Sequence, residues 1–151
     1  MRSSTLAAAL LTLAACDTTG PAVQRAPFVA VADRTAYDAN ADVRVTLANQ
    51  GPYRLAIEPN CSVVTEEHRD GGWVEVGTPD CSRIRVTLQY LAPGETKTVT
   101  YPVYRLVEDP GRPGATYRLR YPASLSDVAY GPDEAPEVPD AVTAPFVTTS
   151  R

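Results

Sequence analysis

The chain has 151 residues, with 14 Lys and Arg against 18 Asp and Glu, a single His and three Cys. A net charge of −4 gives no cationic field for a phosphate backbone, which argues against nucleic-acid binding, and one His excludes multi-His metal centres. With 44% apolar residues, the chain reads as a globular domain that buries a core, neither disordered nor polytopic in a membrane.

Residues 1–15, MRSSTLAAALLTLAA, place Arg2 ahead of an apolar stretch that ends in small residues, which is the layout of a signal peptide. About ten apolar residues, as a helix, reach only about half of the ~30 Å hydrocarbon thickness, so the stretch does not read as a spanning anchor. One reading is a plain cleaved secretory signal. However, Leu13-Ala14-Ala15-Cys16 resembles the lipobox of bacterial lipoproteins, in which cleavage precedes the Cys and its thiol carries a diacylglycerol. That resemblance implies lipidation at Cys16, a membrane held through this anchor as partner, and an extracytoplasmic place in the bacterial cell envelope. Each buried CH₂ contributes about 0.8 kcal/mol, so several acyl chains make a lasting attachment. Asp17 follows the Cys; in enterobacterial lipoproteins it would favour the inner membrane, and the choice between inner and outer membrane stays open. The segment 16–27 is polar, small and Pro-containing, and reads as a flexible tether.

From Phe28 onward the dominant signal has period two. Val43, Val45 and Leu47 alternate with Asp42, Arg44 and Thr46, and Tyr53, Leu55 and Ile57 follow with the same spacing. Ser62 to His68 reads as a polar strand that turns at Asp70-Gly71-Gly72 into Trp73 to Val76, a hairpin signature. The alternation recurs in Ile84, Val86, Leu88 and Tyr90, in Val99, Tyr101 and Val103, and in Tyr117, Leu119 and Tyr121. Turn residues separate these runs, among them Ala92-Pro93-Gly94-Glu95 and Pro110-Gly111-Arg112-Pro113-Gly114. No window carries a helical stripe. The pattern indicates an all-β antiparallel sandwich of seven to eight strands over residues 28–151.

Taken in order, Tyr37 to Asn49, Gly72-Trp73, Leu91-Ala92-Pro93-Gly94-Glu95, Gly114-Ala115-Thr116-Tyr117-Arg118-Leu119 and Ala144-Pro145-Phe146-Val147 resemble a family of bacterial Ig-like domains found in secreted proteins and lipoproteins. The resemblance spans about 28–149 and implies an Ig-like sandwich with no shared catalytic residues. The acidic, Pro-rich segment 126–140 departs from the family pattern. The Trp hairpin and the Leu-x-Pro-Gly-Glu turn are also similar to the small β-sandwich proteinase inhibitors of bacilli, although no reactive loop transfers residue by residue.

With Cys16 lipidated, Cys61 and Cys81 remain as an even pair 20 positions apart, read as a disulfide in an oxidising compartment. Closing such a loop stabilises by about 3 kcal/mol. The competing reading is a redox or metal pair with His68. His68 itself lies in Glu66-Glu67-His68-Arg69-Asp70 and reads as a solvated residue at a hairpin tip rather than a general base. No Gly-x-Ser-x-Gly turn is present, so no catalytic residues are assigned.

Arg83, Arg85, Arg118 and Arg120 occupy the polar alternates of two strands. If the strands are neighbours, the four guanidiniums form a patch for carboxylates or anionic sugars; the other reading is the wet face of a sheet, paired with acids. Trp73 is expected as a core plug, with an exposed contact residue as the alternative. Tyr117 is expected in the core, its hydroxyl bonded to nearby backbone in the manner of a tyrosine corner. Segment 126–140 reads as an extended acidic surface loop. The whole reads as a lipid-anchored, non-catalytic binding or accessory module with no cofactor and no metal, facing an envelope protein or polysaccharide. A proteinase inhibitor is the alternative, and an enzyme with an unrecognised site stands behind it.

Overall fold

A computed structural model describes residues 27–78, 81, 87–107, 112, 114–126 and 138–149. Cys16, the tether through residue 26, Arg83, Arg85 and most of segment 126–140 lie outside the described residues. In chain order the elements are β1 (Phe28–Ala32), β2 (Ala36–Asp38), β3 (Asp42–Asn49), β4 (Leu55–Ile57), β5 (Val64–Arg69), β6 (Gly72–Gly77), β7 (Gln89–Leu91), β8 (Thr96–Pro102), α1 (Val103–Leu106), β9 (Thr116–Tyr121), β10 (Ser124–Leu125), β11 (Ala141–Val142) and β12 (Phe146–Thr149). The fold is an all-β sandwich. Its strand segments outnumber the expected seven to eight because five of them, β2, β4, β7, β10 and β11, have only two or three residues. Segments that short carry no readable period.

The first sheet is β1-β3-β8, antiparallel throughout. As the alternation requires, Val43, Val45 and Leu47 are buried while Asp42, Arg44 and Thr46 are exposed. In β8, Val99 and Tyr101 face inward between exposed Thr98 and Thr100. The run does not continue through Val103. Pro102, lacking an N–H for the ladder, ends the strand and leads into the single turn α1, which closes when the Val107 N–H donates to the Val103 carbonyl at 3.0 Å.

In the second sheet, β10-β4-β7, the phase differs from the sequence expectation. Leu88 and Tyr90 are exposed, whereas Leu91 is buried. Leu91 stands opposite Leu55, and Tyr90 opposite Ala56, so the inward set is one residue out of step with the apolar alternation. Tyr90 turns outward beneath the Arg54 guanidinium, 4.4 Å from the ring centroid.

The third sheet runs β2-β12-β9-β5-β6, with β11 also on β9; β12 and β2 are parallel and the other pairs antiparallel. The expected hairpin forms between β5 and β6. Asp70 and Gly71, at φ 51° and 83°, are the two central residues of the turn, and two consecutive positive φ values match the right-handed twist of the strands. In β9, Tyr117, Leu119 and Tyr121 point inward, and Thr116, Arg118 and Arg120 point outward.

The inner faces meet in one core. Phe28, Leu47, Leu55, Leu91, Leu119 and Phe146 are buried in it, each contributing about 1.5–3 kcal/mol. Tyr37 meets Phe146 edge to face at 5.3 Å, and Tyr117 lies 6.1 Å from the same ring. Buried phenols bring polar tips that need partners. The Tyr37 hydroxyl donates to Asp33 Oδ1 at 2.6 Å and accepts the Arg34 N–H at 3.0 Å; burial and the Asp33 carboxylate push this phenol up to about 12. The Tyr101 hydroxyl donates to the Pro59 carbonyl, and burial pushes it up to about 12. Tyr117 is in the core as expected. Cys61 and Cys81 are joined by a disulfide, which ties the turn before β5 to the segment after β6. Disulfides persist in oxidising compartments, and the bond fits an extracytoplasmic location. Among the described residues no helix is long and apolar enough to cross a membrane.

Candidate binding face

Strand pairing decides which of the singled-out residues meet. In an antiparallel ladder, residues directly opposite share a face. Glu66 lies opposite both Arg118 of β9 and Glu75 of β6, and His68 lies opposite Trp73. His68, Trp73, Glu66, Glu75, Arg118 and Arg120 therefore collect on the outer face of β9-β5-β6. Trp73 does not plug the core: the His68 pairing puts it on the outer face, where it is half-buried. The His68 ring meets its indole edge-on, with centroids 5.2 Å apart. Arg118 lies over the same indole, its Cζ 4.3 Å from the ring centroid, a contact that contributes about 0.5–1 kcal/mol when partly exposed.

Glu66 is the hub. Its Oε2 accepts from Arg118 Nε at 2.6 Å and its Oε1 from Arg120 Nε at 3.1 Å, so one carboxylate bridges two guanidiniums. The two arginines differ in what remains. Arg120 spends every nitrogen: Nε on Glu66, Nη1 on Asp140 at 2.8 Å and Nη2 on Glu75 at 3.4 Å. The Asp140 hydrogen bond is the main cause of its raised pKa. Arg118, among the described residues, spends Nε alone. Arg118 and Arg120 are paired with acids, as in the reading of a wet sheet face; Arg83 and Arg85, whose adjacency a four-arginine patch needs, fall outside the described residues.

The sequence of a polar hairpin does not say which residue of a neighbouring strand stands across from Glu66. The one available signal was phase: Val64, Glu66 and His68 share a face. Asp140 reaches the cluster through β11, which pairs with β9, and Glu75 through β6. Next along the chain, Glu67 faces the opposite way, beside Tyr117, with its side chain 3% exposed. Its Oε2 accepts from Arg69 Nε at 2.9 Å, and its Oε1 lies 2.7 Å from Arg112 Nη2.

A separate concavity of about 200 Å³ is lined by Pro27, Pro52, Tyr53, Leu55, Leu125, Val138 and the Asn49–Gly51 turn. Asn49 builds its wall: Nδ2 donates to the Tyr53 and Leu91 carbonyls at 2.8 and 2.9 Å, and Oδ1 accepts the Gly51 N–H at 3.0 Å. Among the described residues no three His, Cys, Asp or Glu side chains converge as a metal cage.

No protein-family model matches the chain, and no curated protein does. Among solved structures it is similar to Spo0M, a sporulation control protein from Bacillus subtilis, with 12% identity and a TM-score of 0.36 over 82% of this chain and 48% of that one. A β-glucosidase, EmGH1 from Erythrobacter marinus, aligns with 12% identity and a TM-score of 0.35 over 80% of this chain and 15% of that one. The chain spans less than half of the length of Spo0M. Neither likeness bears on what the chain does.

Proposed function

We propose that the chain is a lipid-anchored, extracytoplasmic, Ig-like β-sandwich module that binds rather than catalyses, meeting an envelope partner through the outer face of β9-β5-β6. The observation that carries this reading is the gathering of Trp73, His68, Arg118 and Arg120 around Glu66 on one sheet face. Trp and Arg are the side chains that most often dominate binding energy at interfaces, and a sheet presents them on a rigid support. A non-catalytic role is supported by how the acids and the base are engaged: Glu66 and Glu67 each face two guanidiniums, and His68 rests against an indole. Anchoring at Cys16 is supported by Leu13-Ala14-Ala15-Cys16 behind an apolar stretch, and residues 16–27 then serve as the tether. The Cys61–Cys81 bond fits the compartment this requires.

Two measurements test the reading. Mass spectrometry of the mature protein is expected to find an acylated Cys16 at the N-terminus; an unmodified Cys16, or cleavage elsewhere, overturns the anchor. Retention of envelope components on the immobilised protein is expected to fall at least tenfold for Trp73→Ala with the fold intact by circular dichroism. Undiminished retention removes this face from the contact.

A further inference from the structure

The contrast between Arg120 and Arg118 points to a ligand group. A guanidinium presents its donors as a rigid planar fork that matches a carboxylate with two parallel hydrogen bonds. Arg120 already has a carboxylate on each of its three nitrogens, Glu66, Asp140 and Glu75, so neither of its Nη groups is open to a second carboxylate without crowding like charges. Arg118 is held at two points, Nε on Glu66 and the guanidinium plane on Trp73, and its side chain is 27% exposed. Its contacts within the described residues leave the edge formed by Nη1 and Nη2 unspent. Both restraints act before any ligand arrives, so little side-chain entropy is lost on binding.

We infer that the Nη edge of Arg118 receives a single carboxylate from a polypeptide partner, a step that rests on the binding role proposed for this face. The surrounding charge selects the ligand class. Glu75, 57% exposed and held to Arg120 only at 3.4 Å, and Asp140, 34% exposed, stand on the neighbouring Arg120, and the chain carries −4 overall. Those charges repel a polyanionic saccharide. A peptide brings one Asp, Glu or terminal carboxylate for Arg118, with a neighbouring Lys or Arg for Glu75.

Trp73 is the only tryptophan in the chain and lies directly under the proposed site, so its emission reports on occupancy. Titrating the full chain with acetyl-Lys-Glu-Lys-amide is expected to give a saturable change that acetyl-Lys-Gln-Lys-amide does not. Arg118→Gln is expected to weaken binding about tenfold or more, the fold-change of losing a charge-assisted pair. Arg44→Gln makes the same charge change on an exposed position of β3 and is expected to leave the titration unaltered. No saturable change with the Glu peptide, or one that survives Arg118→Gln, overturns the inference. Tighter binding of trigalacturonate than of the peptide overturns the ligand class. If the peptide fails while envelope retention still depends on Trp73, the carboxylate fork falls and the binding face stands.

Discussion

Glu66 and Glu67 are consecutive in β5, yet the pleat sends them to opposite sides of one sheet. Glu67 stands beside Tyr117 on the inner side, its side chain 3% exposed, where the apolar core gives way to Arg69 and Arg112. Glu66 stands on the outer side and bridges Arg118 and Arg120. The inner carboxylate closes a rim and so bears on stability, whereas the outer one poses a guanidinium and bears on recognition. Chemistry alone does not separate the two; the face does.

The largest test of that division is Leu119→Ala, which empties a buried site of the inner face and is expected to cost about 2–5 kcal/mol in urea unfolding. Thr116→Ala on the outer side of the same strand is expected to stay within about 0.5 kcal/mol. Similar losses from both would break the two-sided picture. Next comes the bond that anchors the start of β5: replacing Cys61 and Cys81 together by Ser is expected to lower stability by about 3 kcal/mol, and a loss near zero would show that the loop is already held without it. The direct comparison follows. Glu67→Gln is expected to cost about 2 kcal/mol, because it leaves the inner pair without its charge. Glu66→Gln, at a carboxylate 11% exposed against 3% for Glu67, is expected to cost less, about 1 kcal/mol. The reverse order would mean that the outer bridge, not the inner rim, holds the hairpin.

A separate test lies at alkaline pH. The Tyr37 and Tyr101 phenols ionise near 12 in the folded chain against 10 when unfolded. A raised folded value contributes stability that is complete below pH 10 and is lost as pH climbs through 12. Tyrosinate absorbance followed alongside circular dichroism is expected to show the last phenols ionising as the fold is lost. Full ionisation near pH 10 with the fold intact would contradict the burial of these rings.

The strands legible in the sequence were those with one wet face. Val43 to Leu47 and Tyr117 to Tyr121 alternate cleanly, because solvent on one side forces polar residues into every second position. The hairpin at Asp70-Gly71 was legible too, since a two-residue loop needs positive φ twice. The strand ending at Tyr90 misled, because Leu88 and Tyr90 are apolar yet exposed while Leu91 holds the core position. Trp73 misled for a related reason: a large aromatic residue satisfies a core and an outer face equally until its cross-strand partner is known.

Period two and turn chemistry by themselves determined that this chain is an all-β domain, because alternation and turns are local properties of the chain; the pairing of Cys61 with Cys81 rested on the lipobox resemblance at Cys16 and is shown by the structure. Which acid meets which arginine was decided by the tertiary structure. Glu66 and Arg118 are 52 positions apart, and only the β5-β9 register brings their atoms to 2.6 Å. Shifting that register by one residue would send Arg118 into the core and leave Trp73 without its cation.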